Sequence, residues 1–458
     1  MLLGWIDQVG TGVSGWCVDT ENPKNPVDIQ IFIDGKLHGT ALANQSRPDL
    51  HDLGFGHDQF GFSIEAPLAK NYRCPTVYGK AGDQFIIPTD SARSNRFSVF
   101  LAHPFLPDAV SSAFGLEHKP DTDTPSDAFI ARLVKTFSHA MRRGNQDIGP
   151  LWGMISSERH HDVAMMVAEN RTQELGEYLA RLGETNLAWG FFGGPASHEH
   201  LKNSDFNRVE ALYVFDRLIS LSEYLGTIVV ENPEQGPWGQ NGSLSVEDLL
   251  ERIATKLKID LHPPELGGYW GFKTRHGHIN ARIVDAMFAA VLISRTLRHS
   301  KGSSVIEIGG GAGLVAHYAL KLGVSRYKIV DLPPVGLAQA FALRHEPGLV
   351  LDGENANGNL KLVPPQSYLE DIDEKYDLLF NMDSLPEIET SAAFDYLSYA
   401  RMHGVRHFLS INQESGGDTN GWKQNVVFQM AERASYEQLS RNRHWMRVGY
   451  VEELYEVS

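Results

Sequence analysis

The sequence has few cysteines, no long apolar run and no excess of positive charge. Its 458 residues include only two cysteines, Cys17 and Cys74, too few for the disulfide framework of a small secreted protein. No apolar run approaches the roughly 18 residues of a transmembrane helix, and Met1–Trp5 lacks the basic start of a signal peptide. We therefore expect free thiols, no membrane span and a cytoplasmic location.

Acidic residues outnumber basic residues by 57 to 41, which gives a formal net charge of −16. Phosphate contacts need a basic surface, so this balance argues against nucleic acid as a partner. The hydrophobic share of 42% and the charged share of 21% are typical of globular proteins with a buried core. A chain of this length is expected to form two or three domains, and a homo-oligomer stays possible.

The most informative segment joins two apolar runs through a glycine-rich turn. Val305–Ile308 predicts a short strand that enters the glycine cluster Gly309–Gly313, and a helical pattern follows over Leu314–Leu322. A second apolar run ends at Asp331. This order predicts half of a Rossmann-type nucleotide site, in which glycines let backbone N–H groups approach the ligand and the acid holds the ribose hydroxyls.

The turn satisfies two nucleotide-binding patterns. Gly311–Ala316 fits G-x-G-x-x-A, with Asp331 about twenty residues further on, as in dinucleotide sites. Glu307–Gly313 fits E-x-G-x-G-x-G and resembles the first motif of class I S-adenosylmethionine-dependent methyltransferases. That resemblance implies that Glu307 lies near the methionine end of the cofactor, whereas a dinucleotide site gives this acid no role. A turn without a ligand is the third alternative. For S-adenosylmethionine the predicted contacts are Glu307, Gly309, Gly310, Gly311, Gly313, Asp331, Leu332 and Asn381.

The last third of the chain predicts the remainder of one parallel sheet. Its apolar runs indicate the strands Leu360–Val363, Tyr376–Asn381 and His407–Asn412. Its helical patterns cover Val335–Arg344, Ser391–His403 and Trp422–Gln438. The extended runs Trp445–Val448 and Val451–Val457 predict a closing antiparallel hairpin. This arrangement is typical of class I methyltransferases, whereas a dehydrogenase would need a further substrate domain after the nucleotide site.

Residues 1–101 have short alternating runs that predict an antiparallel β-sandwich. They resemble a small β-domain attached to bacterial carbohydrate-modifying enzymes. The matching residues are Gly15-Trp16, Asp19, Asp34-Gly35, Ala43, Arg47–Leu50 and Phe60–Phe62. The resemblance implies a sugar-binding role. The alternative is structural: Trp16 and Phe62 would be core residues, and Arg47 with Asp49 would tie a loop to the sheet.

A helical region is predicted between the β-domain and the nucleotide site. The proline- and acid-rich segment His118–Ser126 predicts a linker. The helical patterns that follow cover Ala128–Arg143, Glu158–Leu182, Val209–Leu225, Val246–Lys258 and Ala281–His299. We therefore predict a β-domain at 1–101, a helical lid or substrate region at 125–264 and a Rossmann-like methyltransferase domain at 265–458. The fold class is α/β.

Four further motifs extend the resemblance. They are Val330–Pro333, Phe380–Ile388, Ser410–Glu414 and Gly449–Glu453, in addition to the glycine turn. Together they resemble the sugar O-methyltransferase family of bacterial surface-polysaccharide gene clusters, over residues 150–458. The resemblance implies S-adenosylmethionine as cofactor and a sugar or glycan hydroxyl as acceptor. The glycine-rich segment Glu265–Gly271 matches the family only loosely, so the acceptor is the least transferable part.

Methyl transfer to a hydroxyl needs a general base within hydrogen-bond reach. Ligands bind at the carboxyl ends of such parallel strands, so the base is expected from segments that converge there. The predicted candidates are Asp383, Glu387, His278 and Glu414, with His276 beside them. Asp383 has a structural or cofactor-facing role as its alternative, and Glu387 a role in capping or pairing with a helix.

We predict no metal site. The motif His276-Gly-His278 lacks a clear third ligand, and His160-His161 and His198-Glu-His200 lack the i, i+4 spacing of a helical zinc pair.

Two other functions stay open. One is a methyltransferase for a non-sugar acceptor such as a phenol. The other is a non-catalytic carbohydrate-binding protein with a degenerate methyltransferase fold.

Overall fold

The computed structural model describes residues 2–9, 12–33, 36–53, 56–65, 77–82, 84–86, 115–143, 149–231, 241, 244–370, 375–415, 418–419 and 422–457. The chain divides into two compact units. The first contains Met1–Phe114 and Ile228–Ser245, and the second contains Gly115–Thr227 and Val246–Ser458. The predicted helical and nucleotide-binding regions thus share one unit, and their exact boundaries stay a prediction. Cys74 lies outside the described residues.

The first unit contains eight described strands: β1 (Leu2–Val9), β2 (Gly12–Asp19), β3 (Val27–Ile33), β4 (Lys36–Ala43), β5 (Gln45–Ser46), β6 (Gln59–Glu65), β7 (Val77–Ala81) and β8 (Gln84–Ile86). They form two antiparallel sheets with the orders β1-β2-β6-β5 and β4-β3-β7-β8. Alternate residues of β3 are buried, as its sequence pattern predicts. One apolar cluster takes side chains from both sheets, so the two sheets share a core.

Four residues of the set that resembles a carbohydrate-associated β-domain make structural contacts, whereas Asp34 and Gly35 of that set lie outside the described residues. Trp16 is 8% exposed and Phe62 is 1% exposed, so both rings belong to the core. Arg47 donates to Asp7 over 2.6 Å and to Asp49 over 2.6 Å, which ties the loop to β1. Cys17 is a buried free thiol, and burial raises its pKa to about 12. These contacts match the structural alternative for this set of residues.

Between residues 127 and 257, the described part of the second unit contains seven helices and two short 3-10 turns. The helices are α1 (Asp127–Arg143), α2 (Gly149–Glu158), α3 (His161–Ala168), α4 (Thr172–Ala180), α5 (Gly194–Leu201), α6 (Ser204–Leu225) and α7 (Val246–Leu257). The turns are Leu182–Glu184 and Asn186–Ala188. The single helix predicted at Glu158–Leu182 was wrong, because Asn170 adopts a left-handed φ of +56° and separates α3 from α4. Among the described residues, every helix is too short or too polar to cross a membrane.

A small antiparallel sheet precedes the nucleotide-binding segment. Its strands are β9 (Glu117–His118), β10 (Trp270–Thr274) and β11 (Gly277–Ile279), in the order β11-β10-β9. The predicted linker therefore contains a paired strand. Next comes α8 (Ala281–Ser300), which is capped by the Asn280 side chain accepting from Ile283 N over 3.0 Å. Helix α8 packs against α6 and leads directly into the main sheet.

The main sheet has eight strands: β12 (Ser304–Ile308), β13 (Arg326–Val330), β14 (Leu349–Leu351), β15 (Leu360–Val363), β16 (Leu378–Met382), β17 (His407–Gln413), β20 (Tyr436–Arg443) and β21 (Tyr450–Val457). Between β17 and β20 the chain adds a short hairpin of β18 (Asp418–Thr419) and β19 (Trp422–Lys423). The order in the sheet is β14-β15-β13-β12-β16-β17-β21-β20. Strands β12 to β17 pair in parallel, and β21 pairs antiparallel to β17. The predicted Rossmann-like sheet is thus confirmed.

The connecting helices are α9 (Leu314–Lys321), α10 (Pro333–Ala342), α11 (Pro365–Glu370), α12 (Thr390–Met402) and α13 (Val427–Arg433). The predicted helix Trp422–Gln438 was too long, since Tyr436–Arg443 is a strand. The predicted hairpin partner Trp445–Val448 was also wrong, because β20 pairs with β21 and those residues form the turn. Strand β20 is exposed from its second residue onward, so its sequence shows no apolar alternation.

Candidate functional site

A cavity of about 780 Å³ opens at the carboxyl ends of the central strands. Strand β12 lies between β13 and β16. The strands that follow β12 are added first on its β13 side and then, from β16 onward, on its other side. A switch point of this kind is where ligands bind in open α/β sheets. The cavity volume lies within the roughly 300–1,000 Å³ of small-molecule sites. It is therefore the main candidate site in the described part of the chain.

The glycine turn forms the floor of this cavity. Gly309, Gly310 and Gly311 line it, and Gly313 lies just below as the N-cap of α9. Gly309 has a φ of +73°, and a Cβ there would stand 2.1 Å from Ser384 Oγ. Gly313 has a φ of +75°, and its Cβ would stand 2.5 Å from Leu343 Cδ1. The backbone of this turn therefore depends on glycine at both positions.

Glu307 lines the cavity, and one oxygen of its buried carboxyl group lacks a hydrogen-bond partner among the described residues. Its side chain is 2% exposed, and the oxygen without a partner is Oε2. Burial raises the pKa of Glu307 to about 8, with the Tyr327 hydroxyl opposing the rise and the Asp331 charge adding to it. A buried carboxylate of this kind is suited to a cationic ligand group, because a cation would stabilise its ionised form.

Asp331 lies at the tip of β13, in the same cavity. Its Oδ1 accepts from Leu332 N over 2.8 Å, and its Oδ2 accepts from Gln339 Nε2 over 2.7 Å. Burial raises the pKa of Asp331 to about 7, although these hydrogen bonds oppose the rise. The carboxylate is thus fixed in orientation and keeps lone pairs for a ligand. Leu332 also lines the cavity.

The contact between Asn381 and the cofactor stays a prediction. Asn381 is fully buried beneath the glycine turn and does not line the cavity. Its Nδ2 donates to Ile308 O over 2.7 Å and to Ser384 Oγ over 2.6 Å, and its Oδ1 accepts from Asn412 Nδ2 over 2.9 Å. Asn381 therefore ties β12, β16 and β17 together and supports the turn from below.

The Asn381→Ala variant is expected to lose about 1–3 kcal/mol of the free energy of unfolding. The reason is that the Ile308 carbonyl and the Asn412 amide would lose buried partners. Urea unfolding measures the change, with the exposed Asn357→Ala as control. Unchanged stability together with weakened ligand binding would instead support the predicted direct contact.

Asp383 is held by two arginines. Arg447 Nη1 donates to both of its oxygens over 2.9 Å, and Arg282 Nη1 donates to Oδ2 over 3.2 Å. Burial alone would raise the pKa of Asp383, but the charges of Arg447 and Arg282 more than offset it, so the pKa lies below its usual value. The backbone has a φ of +71° at Asp383, which the surrounding contacts maintain. Such a carboxylate is a weak base.

Glu387 has the opposite character. It follows β16 in the 3-10 turn Leu385–Glu387 and lines the cavity. Burial raises its pKa to about 7, the charge of Asp383 adds to the rise, and the charge of Arg282 opposes it. A general base works best with a pKa near the operating pH. Among the four predicted base candidates, Glu387 has the pKa and the location that this role requires.

The remaining two candidates have other contacts. Glu414 lines the cavity but forms an ion pair with Arg441, which also pairs with Glu453. His278 lies on β11, where its carbonyl accepts from the Tyr269 hydroxyl over 2.8 Å, and it does not line the cavity. The structure therefore brings Asp383, Glu387 and Glu414 together, but not His278.

Several cavity residues were not predicted from the sequence. Arg282 comes from the start of α8, Arg447 from the turn before β21, and Tyr450 from the first residue of β21. The Arg447 guanidinium lies 3.6 Å from the centre of the Tyr450 ring. Aromatic side chains from the helical region complete the wall: Trp152, Trp189 and Phe191. Of these residues, only Tyr450 falls in a motif, Gly449–Glu453, and that motif gave it no role. The others come from segments distant from the glycine turn.

No protein-family model matches the sequence, and no curated protein matches it. Among solved structures, the chain is similar to magnesium protoporphyrin IX methyltransferase from Synechocystis PCC 6803 with bound SAH, with 14% identity, 40% of this chain and 90% of the other covered, and a TM-score of 0.29.

Two further solved structures give similar values. One is a Burkholderia thailandensis 1,6-didemethyltoxoflavin-N1-methyltransferase, with 18% identity, 38% of this chain and 78% of the other covered, and a TM-score of 0.29. The other is the CcbJ methyltransferase from Streptomyces caelestis, with 16% identity, coverage of 38% and 90%, and a TM-score of 0.28. At these identities and TM-scores the similarities assign no family to the chain.

Proposed function

We propose that this protein is an S-adenosylmethionine-dependent O-methyltransferase that methylates a sugar hydroxyl of a bacterial surface glycan or its precursor. The observation that carries the proposal is that Glu307 and Glu387 line the same cavity. The first is a buried acid with an unpartnered oxygen beside the glycine turn, and the second is an acid whose pKa is raised to about 7.

The residues of the cavity fit this cofactor. Glu307 suits the positively charged methionine end, the turn at Gly309–Gly311 suits close backbone approach, and Asp331 suits the two ribose hydroxyls. A dinucleotide would instead bring the negative charges of its pyrophosphate to the side of the turn where Glu307 is buried. Charge complementarity therefore favours S-adenosylmethionine over NAD.

When bound, the cofactor supplies an electrophilic methyl group on a sulfonium. The chain must hold the acceptor oxygen in line with that methyl group and remove its proton. Glu387 accepts the hydroxyl proton on its carboxylate. Asp383 is a positioning residue, because its ion pairs with Arg282 and Arg447 fix the wall next to Glu387.

A sugar acceptor suits the chemistry of the cavity wall. Trp152 and Trp189 offer apolar ring faces, while carboxylates and Gln413 offer hydrogen bonds to hydroxyl groups. The motif resemblance to sugar O-methyltransferases supports the same acceptor class. The aromatic share of the wall also favours a second candidate, a phenolic acceptor. A transfer assay with labelled S-adenosylmethionine and panels of glycans and phenols tests the choice, since turnover of phenols alone would overturn the sugar proposal.

The antiparallel sheets of the first unit are assigned, as part of this proposal, to a β-sandwich accessory domain. In this domain Trp16 and Phe62 are core residues, and Arg47 links a loop to β1 through its ion pair with Asp7. A direct sugar contact by these three side chains is therefore not part of the proposal.

Cofactor affinity is expected to increase as the pH rises from about 5.5 to about 7.5. The pKa of Glu307 is about 8 without ligand, so below that pH its carboxyl loses a proton when the ammonium group shared by S-adenosylmethionine and S-adenosylhomocysteine binds beside it. Asp331, with a pKa of about 7, contributes in the same direction. Calorimetry with S-adenosylhomocysteine at several pH values measures the slope. Glu307→Gln should flatten the slope, and an equal slope in wild type and variant would contradict the assigned role of Glu307.

A further inference from the structure

Two histidines and a glutamate converge outside the cofactor cavity. His118 lies on β9, Glu184 ends the 3-10 turn Leu182–Glu184, and His198 lies on α5. His118 Nε2 lies 2.7 Å and His198 Nδ1 lies 3.9 Å from Glu184 Oε1. One potential ligand atom of each side chain lies within 4.8 Å of the other two. The three elements therefore bring two nitrogen donors and one oxygen donor within reach of a single ion.

The contact between His118 and Glu184 is not an ordinary hydrogen bond. Although the two atoms are 2.7 Å apart, the buried His118 Nε2 has no partner with acceptable hydrogen-bond geometry among the described residues. The nitrogen and the carboxylate oxygen thus approach each other off the hydrogen-bond axis. Two lone-pair donors in this arrangement fit a shared cation better than a shared proton.

The ring of Trp270 packs against both histidines. His118 and Trp270 are cross-strand partners on β9 and β10, with ring centres 5.4 Å apart. The His118 and His198 ring centres are 5.0 Å apart. The Trp270 indole N–H donates to His198 Nδ1 over 3.1 Å, so this nitrogen carries a lone pair and no proton. The packing limits the freedom of the two imidazoles before any ion binds.

We propose that His118, Glu184 and His198 form a binding site for a divalent metal ion of the zinc class. Zinc binds imidazole nitrogens at about 2.0–2.1 Å and carboxylate oxygens at about 2.0–2.2 Å. Ligand atoms around one tetrahedral ion are then roughly 3.3 Å apart. The observed separations require side-chain movements of roughly an ångström. Three protein ligands leave the fourth position for water or a substrate atom.

The site stands in the wall of a second cavity of about 400 Å³, which His198 and Trp270 line. This cavity shares Phe191, Arg282 and Arg447 with the cofactor cavity. The metal site is independent of the proposed methyl transfer, because none of its three ligands lines the cofactor cavity. This metal site could not be predicted from the sequence, because its ligands come from three separate segments whose spacing matches no metal-binding motif.

A second cluster offers a control. Asp260, His262 and His276 also lie within reach of one ion, but His262 and Asp260 are largely exposed. Asp260 already accepts from His262 Nδ1 over 2.7 Å and lies 3.5 Å from Lys321 Nζ. Its carboxylate is therefore engaged, and zinc binding at this cluster is expected to be weaker.

The test is calorimetry with zinc chloride on the full chain after chelator treatment. The wild-type protein should bind one tight equivalent, and the thermal midpoint should rise with zinc concentration. Glu184→Gln and His118→Asn should each lower the affinity by about 100-fold or more, since even loss of an outer-shell partner costs about 10–100-fold. Asp260→Asn should leave the tight equivalent intact. Absence of tight binding, or its loss in Asp260→Asn alone, would overturn the proposal.

Trp270→Phe provides a second, opposite readout. It keeps an aromatic ring between the histidines but removes the N–H that competes for His198 Nδ1. Zinc affinity should therefore rise in this variant, whereas general damage to the site would lower it. Unchanged or weaker binding would contradict His198 Nδ1 as a ligand. Binding of S-adenosylhomocysteine, measured on the same samples, reports separately on the cofactor site.

Discussion

Replacement of Glu387 by glutamine is expected to lower kcat by about 10²–10⁴-fold, because the variant cannot accept the acceptor proton. The affinity for S-adenosylhomocysteine should change little, since the proposed cofactor contacts lie at the glycine turn and at Asp331. In the wild-type protein at saturating S-adenosylmethionine, kcat/KM for the acceptor should rise with pH through about 7 as the Glu387 carboxyl loses its proton. The Glu387→Gln variant should lose this limb of the pH profile.

The matched control is Glu389→Gln. Glu389 lies two residues further along the chain but does not line the cavity. It should keep the wild-type rate and pH profile. Near wild-type turnover of Glu387→Gln would move the base elsewhere. Glu414, which also lines the cavity, would then be tested by the same substitution.

Replacement of Asp331 by alanine is expected to weaken S-adenosylhomocysteine binding by about 10–150-fold. This range corresponds to the roughly 1.5–3 kcal/mol of a hydrogen bond to a charged group. The carboxylate is already oriented by Leu332 N and Gln339 Nε2, so its loss removes a prepared contact. Isothermal calorimetry measures the change.

Two comparisons make the Asp331 result specific. Asp395→Ala, an exposed acid on α12, should leave the affinity unchanged. The wild-type protein should also prefer S-adenosylhomocysteine to NAD. A wild-type preference for NAD, or an unaltered affinity in Asp331→Ala, would refute the assignment of the cofactor site.

The sheet was largely predictable because its signals are local. Leu360–Val363 is a strand with the predicted bounds, and His407–Asn412 differs from the observed strand by one residue. Buried parallel strands give continuous apolar runs, and these are visible in the sequence. The exposed edge strand β20 gives no such run, which is why Tyr436–Arg443 was predicted as part of a helix.

The glycine turn and the acids at its borders can be recognised from a short stretch of sequence. Gly309 and Gly313 have positive φ angles, Glu307 lies on β12, and Asp331 directly follows β13, the neighbouring strand. These features depend on neighbours in the chain, so a short motif can encode them.

The difference between the candidate bases depends on contacts that form only in the folded chain. Asp383 and Glu387 are four residues apart and look equivalent in the sequence. Arg282 and Arg447, from distant segments, hold Asp383 ionised, while burial raises the pKa of Glu387 to about 7. The pKa of a carboxyl group depends on burial and on charges nearby in space. The same reason explains why the three-residue cluster of His118, Glu184 and His198 emerged only from the fold.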